Sequence, residues 1–524
     1  MAEVPLLHTL HDYLVFHASR RGDQMAVVCG EERLSYAALL DRVQACAEGL
    51  LAAGIRPGDR VATMAGMQTE YLVVFLATSM VGGIWMGLNP RYRRHELTQL
   101  LRDARPRVLF TVTHVPDTDL ASELLAVLDE IGSTLDRLVL LDGGTLGRHA
   151  GQSFAAFINT AGRSDPLAGC HARAGRDPVL LVYTSGTTGV PKGGLLTHEG
   201  LIARAINQHR MWPCDPLRVV NHLPINHIGG VGFVSLFCLV GGGTQFLDPR
   251  FDPAAFIARL VQDRITIWIS LPTIVLKTLG HPAFPAHLPD LQWAVWSGAP
   301  LPVAAIRTLR ALGCRLGSSY GLTESSGSVC YAASDLDDAT LSRTIGRPVP
   351  DGEVVIADAE GQPVPAGQAG EIQLRPDWAM AGYLDRKAAN REVRAPTGFI
   401  RTGDLGRFGA DGCIELVGRL KEMFKSGGYN VYPREVEVAI ESHPQVTACA
   451  VVPVADPVFQ EVGVAFVQTL GDGSATPPDL RAWCAARLAH YKVPKQFRFL
   501  DTLPALSIGK LDRQAMRAMA ATPQ

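Results

Sequence analysis

A loop rich in hydrogen-bond donors follows an apolar run that predicts a buried strand. The run PVLLVY occupies residues 178–183, and TSGTTGVPKGG comes directly after it. The glycines let backbone N–H groups approach an anion, the hydroxyls add donors, and Lys192 adds a point charge suited to phosphate. The Walker A pattern does not fit, because Pro191 precedes this lysine and Gly193 follows it. The pattern therefore predicts a different phosphate loop, followed by a helix with Thr197 as its N-cap.

Five further segments carry polar and charged residues in a fixed order along the chain. They read LPINHIGG (223–230), YGLTES (320–325), RTGDLG (401–406), GRLKEMFKSGG (418–428) and IGKLDR (508–513). Together with the loop they resemble, in order, the signature segments of the adenylate-forming superfamily, which includes acyl- and aryl-CoA synthetases, firefly luciferases and the adenylation domains of peptide synthetases. The resemblance covers nearly the whole chain. It implies an ATP-dependent ligase that activates a carboxylic acid as its acyl-adenylate and passes the acyl group to coenzyme A.

Activation of a carboxylate requires a site that neutralises two anions and holds them in line, because a carboxylate oxygen attacks the α-phosphorus of ATP. By resemblance, Thr323 contacts the α-phosphate, and Glu324 holds Mg²⁺, which prefers hard oxygen ligands together with substrate phosphates. The residues expected to cradle the β- and γ-phosphates are Thr184, Ser185, Gly186, Thr187, Thr188, Gly189 and Lys192.

The resemblance also implies the contacts to the nucleoside. Tyr320 is expected to stack on adenine, and Asp404 to accept hydrogen bonds from the ribose hydroxyls with Arg419 nearby. The remaining expected ATP contacts are Gly298, Ala299, Pro300, Ser319 and Gly321.

The C-terminal segments imply a second, mobile domain. Lys510 is expected to swing over the site and bridge the substrate carboxylate and the α-phosphate during adenylation. After that step the domain is expected to rotate about a hinge at Lys421 and present another face for thioester formation. The residues expected to contact coenzyme A are Lys425, Gly427 and Gly428, where glycine lets the backbone pass close to the thiol chain.

The acyl pocket is expected on the other side of His227, which the resemblance assigns as a gate between the pocket and ATP. The other expected lining residues are Ile228, Gly229, Gly230 and Asn207. Missing side chains at the glycines of this segment, Gly232 included, are expected to leave volume. No tryptophan precedes Tyr320 as in acetate-activating relatives. We therefore expect an aromatic or a medium- to long-chain fatty acid as substrate, and the choice between aryl and alkyl stays open.

Three alternatives compete with this interpretation. Residues 317–321 spell GxSxG, which would make Ser319 the nucleophile of an α/β-hydrolase but would leave the phosphate loop unexplained. An amino- or aryl-acid adenylating enzyme that loads a carrier protein is the nearer rival. Amino-acid adenylation domains usually carry an aspartate near the histidine segment, and none stands between Leu223 and Val240. A non-enzymatic nucleotide sensor fits least well.

Composition limits the partners and the compartment. The net charge of −2 argues against nucleic acid, and ten cysteines without a CxxC pair argue against a zinc site or a disulfide framework. An uncharged run at 71–88 favours a buried helix ended by Gly82 and Gly83, then a strand, over a membrane span. The N-terminus lacks the pattern of a secretory signal, so we expect a cytoplasmic protein. A homodimer is left open.

The elements that must position these residues alternate between strands and helices. The runs 265–270 and 291–296, like 178–183, predict buried parallel strands, and ligand groups in such sheets collect at the strand ends. Short strands over 345–415 predict an antiparallel subdomain. The expected fold class is thus α/β with α+β. A large domain of parallel α/β sheets with the antiparallel β subdomain spans 1–418, and a mobile small α+β domain spans 419–524. In the small domain the sequence predicts a helix, two strands, a helix and a strand in that order.

Overall fold

The structure is a computed structural model that describes residues 4–115, 120–132, 135–147, 151–159, 175–184, 191–350, 353–469, 476–506 and 511–521. A π-helix spans Gly229–Leu236 and a short 3-10 helix spans His490–Lys492. The α-helices are α1 (Leu10–Arg21), α2 (Tyr36–Ala52), α3 (Thr69–Met80), α4 (Arg94–Ala104), α5 (Leu120–Ile131), α6 (Phe154–Asn159), α7 (His198–Met211), α8 (Phe237–Gly241), α9 (Pro253–Gln262), α10 (Pro272–Leu279), α11 (Val303–Ala311), α12 (Asp338–Arg343), α13 (Lys387–Glu392), α14 (Pro433–Glu441), α15 (Pro477–Ala485) and α16 (Arg513–Ala521).

Within the described ranges, eight strands form one sheet. Their spatial order is β19 (Gly382–Tyr383), β9 (Lys192–Thr197), β8 (Pro178–Thr184), β4 (Ile84–Leu88), β3 (Arg60–Met64), β5 (Val108–Thr111), β6 (Arg137–Leu140) and β7 (Gln152–Ser153). The strands from β8 to β7 are parallel. Strand β9 runs antiparallel to β8, and β19 runs antiparallel to β9. The phosphate loop therefore joins two antiparallel strands at one end of a parallel sheet.

A larger sheet contains thirteen of the described strands. Their spatial order is β17 (Val354–Ala357), β18 (Gly370–Leu374), β20 (Ile400–Phe408), β21 (Ile414–Arg419), β16 (Thr344–Pro348), β15 (Gly327–Ala332), β14 (Arg315–Leu322), β13 (Trp293–Ser297), β12 (Ile267–Ser270), β10 (Arg218–Asn221), β11 (Thr244–Leu247), β1 (Met25–Cys29) and β2 (Glu32–Ser35). From β14 to β1 the strands are parallel, as predicted for 265–270 and 291–296. The antiparallel strands of 345–415 are also confirmed, and they continue this sheet through β15 and β16.

A third, five-stranded sheet is formed by the C-terminal part of the chain. It contains β22 (Phe424–Ser426), β23 (Tyr429–Val431), β24 (Val446–Asp456), β25 (Gln460–Thr469) and β26 (Gln496–Phe499). The predicted order of helix, two strands, helix and strand is confirmed by α14, β24, β25, α15 and β26. The hairpin of β22 and β23 was not predicted, because strands of three residues show no clear periodicity, and neither was helix α16.

The apolar run at 71–88 forms a buried helix followed by a strand, as predicted. Helix α3 contacts β3 and β4 of the eight-stranded sheet and β1 of the thirteen-stranded sheet. It is apolar on every side because it packs between two sheets. Gly82 has a φ of +72° and follows the helix end, and β4 begins two residues later. No helix among the described residues is long and apolar enough to cross a membrane.

A buried ion pair connects α7 with the antiparallel strands. The Arg204 and Glu353 side chains are 3% and 1% exposed, and Arg204 Nη2 lies 2.7 Å from Glu353 Oε1. Arg204 Nε also donates to the Ser325 carbonyl at 2.9 Å. One buried guanidinium therefore connects a helix, the segment after β14 and the start of β17.

We predict that Glu353→Gln lowers the free energy of unfolding by about 3 kcal/mol, because it leaves a buried arginine without its counter-charge. Chemical denaturation monitored by circular dichroism measures this change. The matched control is Asp290→Asn, which breaks the exposed pair with Arg264 and should leave the denaturation midpoint unchanged. Equal midpoints for the two variants would contradict the prediction.

Candidate active site

Predicted nucleotide contacts lie at one edge of the thirteen-stranded sheet. Strands β12, β13 and β14 are parallel, so their carboxyl ends share an edge. Gly298, with a φ of +89°, follows the end of β13, and the Ser297 hydroxyl donates to the Ser319 carbonyl on β14 at 2.8 Å. The structure thereby brings together the predicted residues Gly298, Ala299, Pro300, Ser319, Tyr320 and Gly321.

Asp404 is the centre of a buried polar contact with two other predicted residues. Its carboxylate is 3% exposed, Oδ2 accepts from the Tyr320 hydroxyl at 2.7 Å, and Oδ1 lies 2.9 Å from Arg419 Nε. Burial and the adjacent carboxylate raise the pKa of Tyr320, so the phenol remains a donor. Asp404 also raises the pKa of Arg419. A carboxylate has about four lone-pair sites, so Asp404 keeps acceptor capacity for ribose hydroxyls.

The phosphate loop is described at its two ends. Thr184 on β8 pairs with Lys192 on β9. Ser185, Gly186, Thr187, Thr188 and Gly189 lie outside the described residues, as does Lys510. The predicted N-cap is confirmed: α7 begins at His198, and the Thr197 hydroxyl accepts from the Gly200 amide at 3.1 Å.

Thr323 and Glu324 follow β14, and Thr323 contacts the strand that leaves the phosphate loop. A Cβ placed on Gly194 of β9 would lie 3.2 Å from Thr323 Cγ2, so the absence of a side chain permits this approach. The turn is closed by Ser325, whose hydroxyl accepts from the Leu322 amide at 2.8 Å. Residues from the two sheets therefore meet at Thr323.

Tyr383 is a contact of this site that the sequence interpretation missed. Its hydroxyl donates to Glu324 Oε1 at 2.6 Å, and Lys192 Nζ lies 5.5 Å from its ring centroid. The only sequence signal was a glycine–tyrosine pair inside an irregular stretch. Burial and the Glu324 carboxylate raise the pKa of Tyr383. Glu324 is partly exposed, which suits Mg²⁺, because this ion takes one or two carboxylates and completes its shell with phosphates and water.

The segment after His227 differs from its expected shape. His227 is half-buried, and its Nδ1 accepts from the Gly229 amide at 3.0 Å. A Cβ on Gly230 would lie 2.4 Å from the Pro224 carbonyl oxygen, and one on Gly232 would lie 2.6 Å from a methyl carbon of Ile228. The expectation that these glycines leave volume is therefore wrong at Gly230 and Gly232, because neighbouring atoms fill the space.

Asn207 is buried on α7, and its amide nitrogen donates to the Val349 carbonyl at 3.1 Å. The same helix contacts the π-helix, since the Gln208 amide donates to the Phe233 carbonyl at 3.0 Å. Asn207 thus contacts the segment after β16, and its neighbour Gln208 contacts the π-helix. The role of Asn207 toward an acyl group stays a prediction.

The three residues predicted to contact coenzyme A lie in the β22–β23 hairpin. Gly427 and Gly428 form its two-residue turn, with φ values of +58° and +86°. Such tight turns need positive φ, which explains the glycines without reference to a ligand. Lys425 is exposed on β22, and Lys421 is exposed between β21 and β22. Their predicted roles remain predictions.

The hydrolase alternative is wrong. A nucleophile elbow places its serine at a sharp turn between a strand and a helix. Ser319 instead lies within β14, is buried, and has its hydroxyl 2.9 Å from the Ser328 hydroxyl on the neighbouring strand.

Known proteins match this chain over nearly its whole length. The family model described as AMP-binding enzyme matches residues 15–384, and the model of the AMP-binding enzyme C-terminal domain matches 435–510. A feruloyl-CoA synthase of Amycolatopsis sp is 36% identical over 499 residues, which cover 94% of this chain and 95% of the relative. An indoleacetate–CoA ligase of Aromatoleum aromaticum is 31% identical over 516 residues and 98% of each chain. The crystal structure of ATP-bound MatB from Rhodopseudomonas palustris matches with a TM-score of 0.86 and 27% identity, over 98% of this chain and 99% of that one.

We predict that Asp404→Asn weakens ATP binding at least tenfold, because an amide cannot accept from Tyr320, Arg419 and a ribose together. Isothermal titration calorimetry with Mg-ATP measures the dissociation constant. The control is Asp411→Asn in the exposed turn between β20 and β21, where the carboxylate accepts only local bonds such as that from the Cys413 amide. Unchanged ATP affinity in the Asp404 variant would show that this carboxylate does not contact the nucleotide.

Proposed function

The chain belongs to the AMP-binding enzymes, and on that premise we propose that it is an ATP-dependent carboxylic acid:CoA ligase that works through an acyl-adenylate. The observation that carries the proposal is the meeting of residues from two sheets around Glu324. Glu324 follows β14 of the thirteen-stranded sheet, which carries Tyr320 in contact with Asp404. Tyr383, whose hydroxyl donates to Glu324, comes from the eight-stranded sheet with Lys192 beside its ring. The co-substrates are the acid, ATP and coenzyme A, with Mg²⁺ as the metal.

In the first half-reaction a carboxylate oxygen forms a bond to the α-phosphorus of ATP while the bond to pyrophosphate breaks. Lys192 and Thr184, at the ends of the phosphate loop, neutralise and bind the departing phosphates. Thr323 donates to the α-phosphate, and Asp404 orients the ribose. Glu324 would hold Mg²⁺, which would supply positive charge at the phosphates. Lys510 approaches both anions and stabilises charge that develops in the transition state.

In the second half-reaction the sulfur of coenzyme A attacks the acyl carbon, a thioester forms, and AMP leaves with the electrons of the acyl–oxygen bond. Lys425, Gly427 and Gly428 line the approach of the thiol, and His227 separates the acyl group from the nucleotide. The two steps need different faces of the C-terminal unit, so Lys510 must withdraw before the thiol enters.

The proposed division is 1–418 and 419–524, with the hinge near Lys421. Arg419 ends a strand of the thirteen-stranded sheet, and Phe424 begins a strand of the five-stranded sheet. Phe424 packs in a buried apolar cluster formed by residues of the C-terminal unit. A short exposed segment between two independently packed sheets is a suitable place for a hinge.

An aromatic carboxylic acid is the proposed substrate, with medium- to long-chain fatty acids as the second class. Two relatives that match nearly the whole chain are named for aromatic acids, feruloyl and indoleacetate. The cytoplasm is the proposed location, since it supplies ATP and coenzyme A and keeps thiols reduced, and the nine described cysteines are unpaired. A homodimer remains a prediction that light scattering would check.

We predict that an aromatic acid with Mg-ATP supports pyrophosphate exchange without coenzyme A, because the adenylate forms before the thiol is needed.

The rate of exchange is measured with a panel of hydroxycinnamic, indole, fatty and acetic acids, and we predict a much lower kcat/KM for acetate than for the aromatic acids. Each apolar methylene that fits the pocket contributes about 0.8 kcal/mol. Exchange that required the thiol would contradict the order of steps, and equal activity on acetate would contradict the substrate class. Acyl transfer only to a carrier protein would favour the rival adenylating enzyme.

We predict that Lys510→Ala abolishes adenylation and spares thioester formation from supplied acyl-adenylate, because the lysine acts in one transition state only. Gly428→Trp should obstruct only the thiol step. Single-turnover assays of each half-reaction measure both effects. Gly428→Asn is the control, since asparagine tolerates positive φ and adds little volume. Loss of both half-reactions in both folded variants would contradict the alternation of domains.

A further inference from the structure

The backbone of Tyr383 is fixed from two sides. Strand β19 pairs with β9 so that Tyr383 lies opposite Gly194. The Asn390 side chain accepts from the Tyr383 amide at 2.6 Å and donates to the Tyr383 carbonyl at 2.9 Å. The next residue, Leu384, donates its amide to the Gly193 carbonyl at 2.8 Å. The position of this tyrosine therefore does not depend on its hydroxyl.

The side chain of Tyr383 contacts two groups of opposite charge with different parts of the ring. The hydroxyl donates to Glu324 Oε1 at 2.6 Å, and Lys192 Nζ lies over the ring at 5.5 Å from its centroid. The same segment also binds the Glu324 backbone, because the Met380 amide donates to the Glu324 carbonyl at 2.9 Å. Residues 380–383 therefore hold both the main chain and the side chain of Glu324.

A glutamate at the start of a loop has three rotatable side-chain bonds, and a metal ligand must be held in one orientation. The phenol fixes this orientation through a short bond to a charged acceptor. It engages Oε1 and leaves Oε2 for a cation. The phenol that donates this hydrogen bond is neutral. It therefore orients the carboxylate without neutralising the negative charge that would bind the metal.

We propose that Tyr383 is a positioning residue that holds the Glu324 carboxylate ready for the metal–nucleotide complex and joins it to β9, the strand that follows the phosphate loop. The proposal rests on the proposed function for the assignment of Glu324 to the metal. It adds a residue from the eight-stranded sheet whose hydroxyl acts only through Glu324.

The test is Tyr383→Phe, which keeps the ring over Lys192 and the pairing with β9 and removes only the hydroxyl. Binding of Mn²⁺-ATP to the full-length protein, without a carboxylic acid, is measured by the electron paramagnetic resonance signal of free Mn²⁺. We expect binding to be about tenfold weaker, as for the loss of one hydrogen bond to a charged group. Tyr36→Phe is the matched control: its hydroxyl donates to the Gly243 carbonyl at 2.8 Å, away from the site, and Mn²⁺-ATP binding should equal that of the wild type.

A double-mutant cycle with Glu324→Gln separates positioning from a general structural role. Once the carboxylate is replaced, removal of the Tyr383 hydroxyl should weaken Mn²⁺-ATP binding less than twofold further. Two losses that multiply would overturn the proposal, as would wild-type binding by Tyr383→Phe. Because no acid or thiol is present, these outcomes do not depend on whether the pyrophosphate-exchange assay supports the ligase function.

Discussion

The active site depends on a set of hydrogen bonds that joins two sheets. The phosphate loop belongs to the eight-stranded sheet, whereas Thr323 and Glu324 follow a strand of the thirteen-stranded sheet. The segment 380–384 binds both, because Ala381 and Leu384 donate to carbonyls of β9 and Met380 donates to Glu324. Gly194 has no side chain where Thr323 approaches. If these bonds were lost, β9 and Glu324, the proposed metal ligand, would lose part of what fixes their separation, and in-line transfer requires a fixed geometry.

Helix α7 provides a second connection between the two sheets, through buried polar side chains. Arg204 binds Ser325 and Glu353, Asn207 binds the Val349 carbonyl, and Gln208 binds the π-helix. These hydrogen bonds lie in a low-dielectric interior, where an arrangement that broke them would leave buried donors or acceptors unpaired. The helix follows β9 directly, so the strand that leaves the phosphate loop and the segment after β14 are also connected through it.

Structural features that depend on neighbouring residues in the sequence were predicted correctly. The end of α3 just before Gly82, the N-cap at Thr197 and the order of elements after Arg419 follow from periodicity and capping. The resemblance placed Tyr320, Asp404 and Arg419 in one site, and the structure shows them in contact. Tyr383 was missed because its contact in the site is with Glu324, which lies 59 residues away in the chain. The space at Gly230 was misjudged because the sequence does not show that the Pro224 carbonyl fills it.

The position of Arg419 relates the nucleotide to the proposed domain movement. Its guanidinium binds Asp404, the expected acceptor of the ribose hydroxyls, and the next residue, Leu420, donates its amide to the Gly403 carbonyl at 2.8 Å. Lys421 follows at once, and Glu422 pairs with Arg513 of the C-terminal unit at 3.3 Å. The proposed hinge therefore lies between a contact to Asp404 and a contact to the C-terminal unit. A ribose bound to Asp404 would share that carboxylate with Arg419. Nucleotide binding and the residue just before the proposed hinge therefore involve the same two oxygen atoms. A coupling between nucleotide binding and the proposed change of domain orientation then needs no longer pathway than Asp404 and residues 419–422.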